Sequence, residues 1–234
     1  MDTAKEITLL AIESSGRTGG VAVLHGSAVL AEAQVAAGER SAAVLTPLVQ
    51  KALAEAGKGL VELNVVAVTS GPGSFTGLRV GVTTAKTLAY ALGCDVLAVN
   101  TLDLIAAQVP GEVQSAWVIL DAQRQQLFAA KYRRDANAQM TSQEGTAIID
   151  NDSFLAGLAD GDCVAGPAVG KLRAQLPAGV CIAPEDCWQP RAITVGQLAM
   201  QRYVECQRDD LWKLAPQYFR QSAAEEKLQD GGSA

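Results

Sequence analysis

Apolar and polar positions divide the first hundred residues into a regular series. Residues 7–12 form an apolar strand, and 20–24 and 28–35 follow as shorter strands, with Gly19-Gly20 and His25-Gly26 as turn signals between them. Across 42–56, Val44, Leu45, Leu48, Val49, Ala52 and Leu53 recur at helical spacing, and Gly57 supplies the stop. A buried strand at 65–68, a long helix over 75–92 closed by Gly93, and a strand at 96–99 come next. Residues 101–108 read as a helix capped by Thr101 and ended by Pro110.

The remainder is less regular. Strands are expected at 116–121, 126–133, 146–149, 162–165 and 180–182, with helices over 152–159, near a cap at Asp152 or Ser153, and over 194–207. Residues 225–234 mix charges with Gly231, Gly232 and Ser233 and predict a disordered tail. A boundary near Pro110-Gly111 divides the chain into a first lobe, 1–110, and a second, 111–224. The opening order of three strands, then helix, strand, helix, strand, helix, is that of one lobe of the actin, sugar-kinase and Hsp70 class. That expectation is an analogy of fold and carries no chemistry by itself.

A chain of 234 residues can bury roughly 70–75% of its unfolded surface, enough for a core without metal or disulfide staples. No apolar run approaches the ~18 residues of a membrane helix, and residues 1–5 do not resemble a secretory signal. A cytoplasmic protein is expected. The five cysteines are odd in number, scattered and never arranged as C-x-x-C, which argues against a disulfide framework and a zinc site. The one histidine, His25, falls at a turn. With a net charge of −6 and an isoelectric point near 4.9, the chain repels phosphate backbones. Only Lys131, Arg133 and Arg134 bunch on one expected strand, so another subunit must carry most of any contact with RNA.

The most specific segment is Thr69-Ser70-Gly71-Pro72-Gly73-Ser74-Phe75-Thr76-Gly77-Leu78-Arg79-Val80-Gly81. A strand ends, two glycines flank a proline in a tight turn, and Ser74 or Thr76 caps the helix that follows. One reading is an anion site at the helix start, though neither a dinucleotide fingerprint nor a Walker loop is present. The other is helix packing. Gly77, Gly81, Ala85 and Ala89 lie four apart and share one face, a stripe with little side-chain bulk that a partner helix can approach. Leu78, Val82 and Leu92 lie elsewhere around the helix and serve the lobe's own core.

Residues 71–81 resemble the signature of the tRNA threonylcarbamoyladenosine biosynthesis protein TsaB family. Weaker matches are Ala11-Ile12-Glu13-Ser14-Ser15, Asp121-Ala122 and Pro216-Gln217-Tyr218-Phe219-Arg220. The resemblance implies a two-lobed α/β fold of the actin-like ATPase (ASKHA) class and a non-catalytic role. The partner would be the homologous TsaD-type transferase, with a TsaE-type ATPase in the larger assembly and tRNA reached only through the complex. In that family the interface uses helices of the first lobe, and the stripe of Gly77, Gly81, Ala85 and Ala89 fits that use. A homodimer of the isolated chain is left open.

The catalytic relatives hold their metal through an H-x-x-x-H pair. Counted forward from Gly81, the corresponding positions here are Thr101 and Ile105, neither of which ligates iron or zinc as imidazole does. Compared with the family pattern, Ser41 replaces a common histidine, and Gln123 and Gln126 stand where arginine and glutamate are frequent. No cofactor is required on this reading. The alternative is an ATP-binding or ATP-hydrolysing enzyme of the same fold, with weak Mg–ATP contacts at Glu13, Ser14, Gly71, Gly73, Ser74 and Asp121. A peptidase is the third reading; a histidine or lysine base beside a nucleophile and a G-x-S-x-G elbow are both missing.

Overall fold

The computed structural model describes residues 6–16, 19–35 and 41–219. The expected tail over 225–234 and Arg220 of the C-terminal motif lie outside the described residues, as does the side chain of Ser41. Two mixed sheets with flanking helices make up the molecule.

The first sheet contains β1 (Thr8–Glu13), β2 (Gly20–His25), β3 (Ala28–Gln34), β4 (Val65–Gly71) and β5 (Asp95–Asn100), in the order β3-β2-β1-β4-β5. β1, β2 and β3 are antiparallel neighbours, while β4 and β5 run parallel to β1. β1 is central and buried along its whole length, so its sequence is a continuous apolar run rather than an alternation. Leu10, Ile12, Val66 and Val68 face a core closed by α1 (Ser41–Glu55) and α2 (Phe75–Leu92). Leu9, Ala11, Val65 and Ala67 face a second core on the opposite side.

That second core is shared. α3 (Thr101–Gln108) touches both sheets, and its Leu102, Ile105 and Ala106 pack with Val118, Ile119 and Ala129. The second sheet comprises β6 (Ser115–Gln123), β7 (Gln126–Arg134), β8 (Met140–Ser142), β10 (Cys163–Ala165) and β11 (Cys181–Ile182), ordered β11-β10-β6-β7-β8, with β9 (Ala147–Asp150) also pairing β7.

The long elements of the first lobe fall where the pattern puts them; α2 and α3 agree with expectation to the residue. Asn100, rather than Thr101, caps α3: its Oδ1 accepts from Leu102 N at 2.8 Å, and Thr101 becomes the first helical residue. In the second half, α4 is shorter than expected (Asn151–Ala156), and β8 and α5 (Val169–Leu172) were not foreseen. The division at 110–111 separates the two sheets but not the packing. α6 (Ala192–Val204), from the second half of the sequence, lies on β1, β2, β4 and β5 of the first sheet. A Cβ on its Gly196 would stand 2.4 Å from Leu24 Cδ1 and 3.3 Å from Ala11 Cβ, so glycine lets the helix lie close on the sheet without displacing Leu24.

Candidate functional site

The glycine-rich turn follows β4 and opens α2. Gly71 has φ of +128° and precedes a cis peptide to Pro72, the turn its sequence predicts. Ser74 caps the helix, its Oγ accepting from Gly77 N at 3.2 Å, and Ser74 N donates to Ser15 O at 2.8 Å. Two of the donors that an anion could use here, Ser74 N and Gly77 N, are thus already held by the protein. The turn is also covered from outside: Gln217 N donates to Ser70 O at 2.7 Å, and a Cβ on Gly71 would lie 2.7 Å from Gln217 O.

The stripe of Gly77, Gly81, Ala85 and Ala89 does not face outward. All four residues are buried within the lobe. A Cβ on Gly77 would stand 2.1 Å from Ser14 O, and one on Gly81 2.0 Å from Ser14 Oγ. Ala85 and Ala89 belong to the core beneath α2. The expectation of a bare stripe open to a partner is therefore corrected: small side chains let α2 lie close on its own sheet. Four-residue spacing identifies a face but not what covers it.

Glu13 ends β1 and is almost completely buried. Its Oε1 accepts from Ser15 N at 2.7 Å and from the Ser15 hydroxyl. Burial pushes the carboxyl up to about 7, against the opposing pull of these hydrogen bonds. Among the described residues, neither Glu13 Oε2 nor Ser14 Oγ has a hydrogen-bond partner, and both atoms are closed off by the protein. Such a carboxylate fits Mg–ATP poorly, since a metal ligand must be ionised and reachable. Asp121 lies in the second sheet, ion-paired with Lys171 and accepting from Gln123 N at 3.0 Å. Of the six residues considered for nucleotide contact, Glu13, Ser14, Gly73 and Ser74 come together where β1 meets α2; Gly71 packs beneath Gln217.

The positions of Thr101 and Ile105 are both buried, at 1% and 0% exposure, inside the shared core. The basic cluster on β7 is largely occupied. Arg134 donates to the carbonyls of Val109, Pro110, Val113 and Ala138, and Lys131 pairs with Asp162 at 3.0 Å beside the Trp117 ring.

The sequence did not disclose a strap, residues 208–219, that runs back along the first lobe. Asp209 Oδ2 accepts from Ala98 N at 2.7 Å, Lys86 Nζ donates to Leu214 O at 2.8 Å, and Leu214 enters the core beside α2. At the far end, Tyr218 stacks on Phe75 at 4.7 Å, and Arg79 sits 4.0 Å over Phe75 while donating to Tyr218 Oη at 2.8 Å. The only hint was the Pro216-to-Arg220 motif. Between the strap and α1, the outer face of α2 presents Thr76, Arg79, Thr83, Thr87 and Tyr90 to solvent. Beside it Trp212 packs edge-on against Tyr90 at 5.6 Å and is itself 74% exposed.

A first sheet of order β3-β2-β1-β4-β5, joined through shared helices to a second mixed sheet, defines an actin-like two-lobed fold. The family model described as "TsaD: tRNA N6-adenosine threonylcarbamoyltransferase" matches residues 34–170, and the chain belongs to that family. An uncharacterized protein of Mycobacterium tuberculosis is 38% identical over 127 residues, 53% of this chain and 59% of that protein. The chain thus matches about six tenths of the length of the first curated relatives. The tRNA threonylcarbamoyladenosine biosynthesis protein TsaB of Escherichia coli is 26% identical over 238 residues, covering 94% of this chain and 97% of that protein. The structure of YeaZ from Pseudomonas aeruginosa superposes with a TM-score of 0.77 at 25% identity, covering 91% of this chain and 100% of that one. No described helix is long and apolar enough to cross a membrane.

Proposed function

We propose that this chain is the non-catalytic, TsaB-type subunit of the assembly that makes threonylcarbamoyladenosine on tRNA, and that it acts by holding a TsaD-type transferase. The observation that carries the reading is that Thr101 and Ile105, one a hydroxyl and one a hydrocarbon, are both buried; counted forward from Gly81 without gaps, they stand for the metal-binding histidine pair of the catalytic relatives. The nearly end-to-end similarity to TsaB supports it. Partner binding falls to the outer face of α2 and the neighbouring surface of α1, where Thr83, Thr87 and Tyr90 are exposed. A TsaE-type ATPase joins the larger assembly, and tRNA is reached through the complex, in keeping with the acidic charge and the occupied cations of β7. The reading needs no cofactor and places the protein in the cytoplasm.

The test is co-purification with the candidate transferase, followed by a tRNA modification assay with and without this chain. Modification that depends on both proteins, with none from this chain alone, is the expected result. Full activity of the transferase without this chain, or failure of the two to associate, would overturn the proposal.

A further inference from the structure

The five cysteines are all free, and their spacing in sequence suggests no pairing. The second sheet brings two of them together. β10 and β11 run parallel in the register Cys163↔Cys181 and Val164↔Ile182. Residues paired across adjacent strands project to the same face, with strand axes about 4.8 Å apart, and a disulfide accepts Cα separations of roughly 4.4–6.8 Å. The Cys181 thiol is near enough to push the Cys163 thiol up, after burial itself. Cys181 is exposed and Cys163 is buried. Cys187, the third thiol of this corner, is buried and committed to the Pro184 carbonyl at 2.8 Å.

We propose that Cys163 and Cys181 form a dithiol that closes to an intramolecular disulfide on reaction with a small-molecule disulfide such as glutathione disulfide, locking the edge strand β11 to β10. The Cys181 thiolate attacks one sulfur of glutathione disulfide and expels one glutathione thiolate, leaving a mixed disulfide. Cys163 then loses its proton to solvent and attacks Cys181 Sγ, and the second glutathione leaves as its thiolate, to be protonated from solvent. Two protein S–H bonds become one S–S bond, and one glutathione disulfide is reduced to two glutathione molecules. Exposure sets the order, because only Cys181 meets the oxidant directly. Burial, followed by the neighbouring thiols, pushes the Cys163 thiol up to about 12, so the second step is the slow one and is accelerated by base. The disulfide removes freedom from the unfolded chain between the two cysteines and stabilises the corner that holds α5.

The experiment uses the full chain, reduced and then incubated with excess glutathione disulfide at neutral and mildly alkaline pH. Remaining thiols are alkylated, and the protein is digested without reduction and mapped by mass spectrometry. A single Cys163–Cys181 cross-link lacking two hydrogens is expected, forming about tenfold faster per pH unit, with a thermal midpoint above that of the reduced protein. Cys181→Ser, a change at an exposed position, is expected to keep the reduced protein's midpoint, form no cross-link and leave Cys163 unmodified. Accumulation of the Cys181–glutathione adduct with Cys163 still open to alkylation after denaturation would overturn the proposal. So would a cross-link through Cys187.

Discussion

Ser14 Oγ occupies the space where a side chain on Gly81 would begin, 2.0 Å from its ideal Cβ, and Ser14 O does the same for Gly77 at 2.1 Å. One residue, immediately after β1, thus explains two of the glycines of α2. At Gly77 the obstacle is backbone and has no means of escape, whereas at Gly81 a hydroxyl can rotate, although Ser14 Cβ remains at 2.9 Å. Gly77→Ala is expected to destabilise the protein by roughly 1–3 kcal/mol, outweighing the gain of about 1 kcal/mol in helix propensity. Gly81→Ala should cost less and be partly rescued by Ser14→Gly. Urea unfolding midpoints of the three variants check the order.

Glu13 gives the protein a pH dependence of definite sign. Burial raises its carboxyl from 4.5 to about 7 in the folded state. Between those values the folded protein binds more protons than the unfolded chain, so stability falls as pH rises. The contribution is fully present below about 4.5 and is lost as pH rises through about 7, in all on the order of 3 kcal/mol. Glu13→Gln should flatten this part of the profile, making the variant's stability relative to wild type highest above neutrality. Chemical unfolding across that range measures it; parallel profiles for the two proteins would refute the assignment.

Asp209 pins the strap to β5. It accepts from Ala98 N at 2.7 Å and faces Arg202, whose Nη2 lies 3.3 Å from its Oδ1. Asp209→Ala leaves the Ala98 N–H without this acceptor and is expected to cost about 1–3 kcal/mol. Limited proteolysis should then cut first within residues 208–219, with the rest of the chain surviving longer.

The outer face of α2 offers a direct test of partner docking. Thr83 and Thr87 are exposed one turn apart, so the pair Thr83→Arg with Thr87→Arg should leave the thermal midpoint of the isolated chain nearly unchanged. Affinity for the transferase should fall about five- to hundredfold, the equivalent of roughly 1–3 kcal/mol of overpacking at the interface. Calorimetric titration of the variant against the partner reads the loss directly. Unaltered affinity would move the interface to another face.

The order of elements in the first lobe, the glycine-rich turn and the limits of α2 and α3 are legible in the sequence alone. These features are local: apolar period, turn residues and side-chain chemistry are properties of short segments. What covers a surface is not local. Gly77 and Gly81 have the same spacing whether they meet a partner helix or Ser14 of their own lobe, and only the assembled sheet shows which. The return of α6 and of the strap to the first lobe, and the register that sets Cys163 beside Cys181, join segments far apart in the chain. The tertiary structure decided them because pairing and packing between distant segments depend on the shape of the whole core, which no short stretch of sequence encodes.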